Sequence, residues 1–477
     1  MNILLINPPT ARSNPKGIFP RSLNPFPPIG LAYLAATVRQ EGFRVEILDC
    51  PARNLSIADI ERKIEASRPD LIGVTTYTHT LAAVFQLGEI CRRTAPDAVL
   101  VLGGPHMATY PEETLLKSRY RIGVIGEGET TFLELVQRLR EGGSLDDIDG
   151  TVVKKGAQVI RNKPCRRIKD LDSIPFPARD LLPNHVYQTT LAAKPFSYMI
   201  TSRGCPYNCT FCDKGLWGRL HTRRSPESTV TEMAECRDRY KIKCLYVYDE
   251  TFTLNRDWVF ETCDLIRERC PGLRWVISTR VDLLNREILE QLKKAGCYQV
   301  RLGVESGDQE ILRAMKKGIT LEQVNYVFRT CRELGIETYA YFMLGYPGET
   351  PQTVEKTINY ALELAPDWVN FNIVQIKPGT ELFQIASESG YVPVDYWHQF
   401  IDGIGDVKEP YCTSDDISEE FLQKSIKSAN RRFYFRLRFF IRLITSRPSP
   451  ATLARLFRGF MGRYWQYFIG RYRNVLD

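Results

Sequence analysis

The sequence predicts an α/β protein of two units in series: a doubly wound parallel sheet, then a partial, TIM-like (β/α)6 barrel with a helical C-terminal extension. Three observations predict it. Short apolar runs alternate with helical patterns over residues 1–145, the rhythm breaks over 146–194, and it resumes over 195–410. At 477 residues the chain is too long for one ordinary domain.

In the first unit, Ile3 to Ile6 reads as a strand and Ile29 to Glu41 as a helix stopped by Gly42. Strands follow at Val45–Leu48, Leu71–Thr75, Val99–Leu102 and Ile122–Ile125, with helices at Ile57–Ala66, Leu81–Arg93 and Thr130–Arg140. Such a sheet carries helices on both faces and binds ligands beyond the carboxyl ends of its strands. Those ends hold Asn7, the pair Thr75 and Thr76, the run Gly103-Gly104-Pro105-His106, and Glu127 with Gly128. No G-x-G-x-x-G follows the first strand, which argues against a nicotinamide cofactor. Residues 146–194, rich in Pro and charge, read as a small hairpin and a linker. Strands then fall at Ser197–Ser202, Leu245–Tyr248, Trp275–Thr279, Gln299–Gly303, Thr338–Met343 and Trp368–Val374. Helices fall at about 226–240, 256–270, 285–295, 320–334 and 351–364, too few units for a closed barrel of eight. Residues 411–477 form the extension.

The composition, 43% hydrophobic and 25% charged, is that of a globular protein. No run of 18 apolar residues appears, and the N-terminus lacks a basic n-region, so the chain is expected in the cytoplasm with its 13 cysteines reduced. The net charge of +8 hides an asymmetry: Phe421 to Asp477 carries +12, leaving −4 on the body. A basic tail of this kind suits phosphates, on nucleic acid or at a membrane surface.

Cys205, Cys209 and Cys212 lie in R-G-C-P-Y-N-C-T-F-C, within eight residues of a Gly/Pro-flanked loop. Scattered core thiols do not cluster so. A Cys3His zinc site using His221 is one reading. The other is a four-iron, four-sulfur (4Fe-4S) cluster, with three irons held by thiolates and the fourth open to a chelating small molecule.

The C-x3-C-aromatic-x-C spacing, just after the first strand of a partial barrel, resembles the radical S-adenosylmethionine (SAM) superfamily, with Phe211 in the aromatic position. The resemblance implies that SAM chelates the open iron and that its reductive cleavage yields a 5′-deoxyadenosyl radical, in a closed, dry site. Further stretches resemble that family's SAM-binding segments. Tyr248-Asp249-Glu250-Thr251 matches the one that accepts the SAM amino group, with Asp249 and Glu250 as partners. Ser278-Thr279-Arg280 contributes Ser278, and Arg280 toward the SAM carboxylate. Gly303-Val304-Glu305-Ser306 brings Glu305 and Ser306 near the ribose. Leu344 to Thr350 is similar to a G-x-P-G-E-T turn, in which Glu349 and Thr350 are expected to cap the next helix.

A parallel sheet ahead of such a barrel resembles the cobalamin-binding group of the superfamily. Pro27–Ala35, the G-G-P-H at Gly103–His106 and the G-E-G-E-T-T-F at Gly126–Phe132 carry the likeness. It implies cobalamin held by Asn7, Thr75, Thr76, Gly103, Gly104, His106, Glu127 and Gly128, between the sheet edge and the barrel mouth. The D-x-H-x-x-G motif that supplies a cobalt ligand in methionine-synthase-like domains is absent, so His79 and His106 are expected to bond within their loops.

Together these readings imply a cobalamin-dependent radical SAM enzyme. The reaction expected is methyl transfer to an unactivated carbon of a hydrophobic, lipid-, isoprenoid- or tetrapyrrole-like substrate, with a ferredoxin or flavodoxin type electron donor. No residue of the chain is singled out as acid, base or nucleophile. A radical cyclase with the same cofactors is the alternative. A tRNA methylthiotransferase would want a second cysteine cluster, and residues 1–150 hold only Cys50 and Cys91. A cobalamin sensor without catalysis is a further alternative. In the tail, Arg431, Arg438 and Arg442 share one helical face while Phe435, Phe439 and Leu443 lie elsewhere. That pattern suits a helical lid packed on the barrel or a peripheral membrane contact at the inner face. No RNA-binding module is visible, so no nucleic acid is expected.

Overall fold

The computed structural model describes residues 1–9, 26–187, 195–402, 416–437 and 439. The first sheet contains β1 (Asn2–Asn7), β2 (Arg44–Asp49), β3 (Leu71–Thr75), β4 (Val99–Gly103), β5 (Ile122–Val124), β6 (Thr151–Lys155) and β7 (Gln158–Arg161). Its order is β2-β1-β3-β4-β5-β6-β7. β1 to β5 run parallel, and the β6–β7 hairpin of the 146–194 stretch adds antiparallel to β5. The continuous apolar run of β1 is explained by its two faces. Ile3 and Leu5 pack with Leu31, Leu135 and Val136 of the helices Ile29–Gln40 and Gly128–Glu141. Leu4 and Ile6 pack with Ile60, Ile64, Val84 and Leu87 of the helices Ile57–Ser67 and Leu81–Thr94. The chain winds outward from β1 in both directions, so a crevice opens at the carboxyl ends of β1 and β3.

The second sheet holds β8 (Phe196–Met199), β11 (Cys244–Val247), β12 (Trp275–Thr279), β13 (Cys297–Glu305), β14 (Glu337–Leu344) and β15 (Trp368–Ile373), all parallel, in the order β15-β14-β13-β12-β11-β8. A two-stranded ribbon of β9 (Ser202–Arg203) and β10 (Thr222–Arg223) stands apart. β14 shows the pleat: Thr338, Ala340, Phe342 and Leu344 are buried, while Tyr339, Tyr341 and Met343 alternate with them, half-buried. The buried face meets Val259, Leu289, Val327 and Ile358 of the crossover helices in one core. Ser225, Asn255, Asn285, Thr320 and Thr350 cap these helices through side-chain oxygens, which is why each begins where it does.

The edge of β15 is covered by the helix Glu419–Tyr434, whose Leu422, Ala429 and Phe433 join the barrel core. The Tyr434 hydroxyl donates to the Val369 carbonyl (2.6 Å) and so helps satisfy an open strand edge. Arg432 pairs with Glu355 (2.6 Å) and bonds Asn359, and Arg436 donates to the Leu362 carbonyl (3.0 Å). Here the extension is a lid packed on the barrel, and these two arginines bond to protein. Arg438, Arg442, Leu443 and the rest of the basic tail lie outside the described residues. Among the described residues no helix is long and apolar enough to cross a membrane.

Candidate cofactor site at the domain junction

The β9–β10 ribbon closes the base of the loop 204–221, which carries the three cysteines. Gly204 is required there: its φ is +84°, and a Cβ would lie 2.1 Å from the Leu220 carbonyl oxygen. The loop is fixed to the barrel mouth through Thr210. Its N–H donates to Met315 O (3.1 Å), its hydroxyl shares a hydrogen with the Tyr346 hydroxyl (2.8 Å), and its carbonyl accepts from Leu382 N (2.9 Å).

Each cysteine has its own neighbour. The Cys205 thiol lies 3.6 Å from the Thr251 hydroxyl, and Cys209 Sγ accepts from Arg280 Nη1 at 3.5 Å. The Cys212 thiol is pushed up by burial and drawn down by Lys214, whose ammonium feels all three cysteines and Glu250. Among the described residues no three His, Cys, Asp or Glu side chains converge as ligands of a single ion. His221 does not complete a tetrahedron with the thiols. Three thiols spread around one loop, with cations from Arg280 and Lys214 beside them, fit a multi-iron cluster of net negative charge.

The structure distributes the other barrel residues unevenly. Asp249 is buried, accepting from Thr201 N (2.7 Å), Ser202 N (3.1 Å), the Ser202 hydroxyl (2.8 Å) and the Thr201 hydroxyl. Burial outweighs these bonds and raises its pKa to about 6. That carboxylate holds the approach to the cysteine loop and has no face left for an ammonium. Glu250 is exposed beside Lys214, its pKa raised by desolvation against that cation. Arg280, expected at the SAM carboxylate, chelates Asp282 (2.9 and 3.1 Å), donates to the Lys317 carbonyl and stacks 3.6 Å from the centre of the Tyr207 ring. It therefore braces the cysteine loop. Glu305 sits after a register shift in β13 with φ +71°, paired to Lys317 Nζ at 2.8 Å. A Cβ on Gly303 would lie 2.1 Å from the Glu305 carboxylate, which accounts for glycine in G-V-E-S. Ser278 bonds Tyr246 (2.5 Å), and Ser306 bonds Thr357 (3.1 Å). Thr350 caps the helix Pro351–Leu364, whereas Glu349 instead closes its own turn by accepting from Gly345 N (2.6 Å) and Tyr346 N (2.9 Å).

At the edge of the first sheet, Asn7 donates to Asp49 (2.9 Å), which also accepts from the Tyr187 hydroxyl (2.6 Å). Thr75 and Thr76 face Gly104, whose φ is +99° and whose Cβ would strike Thr76 N at 2.7 Å and Thr75 Oγ1 at 2.8 Å. Thr76 N–H donates to Gly103 O (2.7 Å), while its hydroxyl is buried and has no protein partner. His106 is also buried, and both ring nitrogens are taken, by Thr78 and Thr114 at 3.1 Å. Burial lowers its pKa to about 4, so it shapes its loop as a neutral ring. The glycines and the orphaned Thr76 hydroxyl make a cradle suited to the rim of a large amide-bearing ring. Gly128 opens the helix Gly128–Glu141, and Glu127 turns away to the second unit.

Arg203, immediately before Gly204, joins the two units. Its Nη1 meets Glu127 at 2.9 Å and its Nη2 meets Glu129, all three side chains being under a tenth exposed. Glu127 also accepts from Ile168 N (2.7 Å), and the Tyr33 hydroxyl donates to Ile200 O (3.4 Å). The loop carrying the cysteines is thus tied to the turn after β5 of the first sheet. Sequence reasoning missed Arg203, Tyr207 and Lys317. Only Arg203 left a signal, a cation beside the cysteine motif facing the acids of G-E-G-E.

Comparison with known proteins agrees with this junction. Residues 199–361 match the radical SAM superfamily and residues 16–136 the B12 binding domain. An uncharacterised methyltransferase of Pyrococcus horikoshii is 33% identical over 470 residues, covering 98% of this chain and 99% of the relative. The chain belongs to the cobalamin-dependent radical SAM methyltransferase family. The anaerobic magnesium-protoporphyrin IX monomethyl ester cyclase of Rubrivivax gelatinosus is 31% identical, over 75% of this enzyme and 66% of the relative. Among solved structures, the radical SAM methyltransferase TsrM of Kitasatospora setae, bound to tryptophan and a SAM analogue, aligns with a TM-score of 0.66 at 25% identity. It covers 82% of this chain and 77% of its own. Radical SAM enzymes such as this one take an electron from a donor and act on a small molecule.

Proposed function

We propose that this enzyme transfers a methyl group to an unactivated carbon of a largely hydrophobic small molecule. The observation that carries the reading is the buried bridge of Arg203 to Glu127 and Glu129, which holds the ligand edge of the first sheet against the cysteine loop. When bound, the cluster with SAM supplies a carbon-centred radical, and cobalamin supplies the methyl group. Cys205, Cys209 and Cys212 would hold the cluster. Arg280 donates a hydrogen bond to the Cys209 sulfur, and Asp249 holds the Thr201-Ser202 entry to the loop. Glu250, exposed and beside Lys214, would be the carboxylate that meets the SAM ammonium. Glu305, held by Lys317 at the carboxyl end of β13, would lie near the SAM ribose. Thr75, Thr76, Gly103 and Gly104 would cradle cobalamin, with Asn7, His106, Glu127 and Gly128 fixing the loops around it. An electron donor of ferredoxin or flavodoxin type fits the single-electron requirement.

The test is a product count with anaerobically reconstituted enzyme, SAM, a strong reductant and a lipid extract of the source organism. Equal, extract-dependent yields of 5′-deoxyadenosine and S-adenosylhomocysteine are expected. The similarity to the cyclase favours one second reading, a radical cyclisation, for which 5′-deoxyadenosine would form alone. Neither product from cluster-loaded enzyme would overturn the methylase reading.

A further inference from the structure

The barrel lumen contains a cation with no carboxylate of its own. Arg301, at the middle of β13, stands in register with Ser278 of β12 and Tyr339 of β14. Its neighbours Val300 and Leu302 are fully buried in the helix-facing core, so the pleat sends Arg301 to the inner face, where it is half-buried. The guanidinium carbon lies 4.3 Å from the centre of the Tyr246 ring and 5.2 Å from that of Tyr339. Its Nε donates to Gln299 Oε1 at 3.0 Å, and Tyr341 lies alongside. The nearby acid on this face, Glu337, is engaged by Gln299 Nε2 and Trp368 Nε1, each at 3.2 Å.

The fully buried arginines and lysines among the described residues have acidic partners: Arg179 and Arg224 with Glu232, Arg203 with Glu127 and Glu129, Arg280 with Asp282, and Lys317 with Glu305. Arg301 forms no ion pair among the described residues. Rings surround it. Tyr248, 56% exposed, lies 5.2 Å from Tyr246 and 5.5 Å from Tyr198 between ring centres. Tyr77, 42% exposed, reaches toward the same rings from the edge of the first sheet. Large exposed aromatics around a desolvated cation are costly in the free protein and mark a ligand surface.

We infer that Arg301 anchors an anionic group of the substrate, a carboxylate or a phosphoryl oxyanion, while the substrate's flat apolar body stacks on Tyr248 and Tyr339. The fork of a guanidinium offers two parallel donors to either oxyanion, and the rings supply contact without a charge penalty. This inference rests on the proposed methyl transfer to a largely hydrophobic small molecule. It makes the substrate an amphiphile, with its acid held deep and its reacting carbon toward the cysteine loop at the carboxyl end of the strands.

The experiment is calorimetric titration of the reconstituted holoenzyme with phenylphosphonate and benzoate, and with benzamide as the neutral control. Wild type should bind both anions more tightly than benzamide, with affinity falling as salt rises. Arg301→Met should weaken anion binding at least tenfold and leave benzamide unchanged, with Arg301→Lys intermediate. Thermal midpoints and the iron and cobalamin contents of the variants establish that they are folded and loaded. Equal anion affinity in R301M, no anion binding by wild type, or loss of cobalamin alone in R301M would each overturn the anion site. Wild type that makes 5′-deoxyadenosine from SAM but ignores both anions keeps the enzyme reading and loses only this one. Wild type that makes none loses both.

Discussion

Arg203→Met tests how the two units are coupled. The substitution keeps most of the side chain's apolar volume and removes the guanidinium between Glu127 and Glu129. Both carboxylates are then buried without their counter-charge. Removing one partner of a buried ion pair costs about 3–5 kcal/mol. Two features trim this. Glu127 keeps the Ile168 N–H at 2.7 Å, and a stranded carboxylate can take up a proton. We therefore expect a loss of about 3 kcal/mol, felt where the bridge ends, in the cysteine loop. A chain of two units need not unfold in one step, so a local measurement is required. Amide hydrogen exchange of residues 204–221, read by mass spectrometry, should accelerate roughly a hundredfold in R203M. The triple variant R203M/E127Q/E129Q, which leaves no buried charge, should recover most of the protection. Exchange in R203M within threefold of wild type would refute the reasoning, because the bridge would then contribute nothing that the surrounding packing does not.

Three other outcomes are expected. Replacing any one of Cys205, Cys209 or Cys212 with Ala should cut iron and sulfide after reconstitution to below half of the wild-type value and abolish 5′-deoxyadenosine formation; a variant with full iron content would remove that cysteine from the ligand set. Asp249→Ala strands two backbone N–H groups and should cost about 2–4 kcal/mol in urea unfolding, with D249N milder; a change below 0.5 kcal/mol would dismiss Asp249 as a positioning residue. Glu349, its carboxyl raised by burial from an ordinary 4.5 to about 7, binds its proton more tightly in the folded state than in the unfolded chain. Wild-type stability should accordingly fall as pH rises from 4.5 to 7, by about 3 kcal/mol at most, while E349Q flattens that slope; parallel curves for the two proteins would count against the burial argument.

Much of this protein was legible in the sequence because it is local. The apolar run of β1 announced a strand covered on both faces, and Thr350 of the G-x-P-G-E-T turn marked the start of the helix after it. The cysteine spacing named its chemistry because three thiolates on one loop have few other uses. Glycine was informative where backbone approach required it, as at Gly204 and Gly104.

What each charged group faces was decided only by the tertiary structure. Asp249 and Arg280 stood at the expected strand ends, but the fold saturates one with Thr201 and Ser202 and commits the other to Asp282, Tyr207 and Cys209. His106 sat in a ligand-like loop and proved to be enclosed by two threonines. The bridge from Arg203 to Glu129 joins residues 74 apart in sequence, and the isolation of Arg301 depends on strand register and on where every acid of the lumen points. Periodicity and spacing fix which backbone segments form. A charge finds its partner only after distant segments are packed together, because in the desolvated interior an ion is held by whichever counter-charge the fold brings within reach.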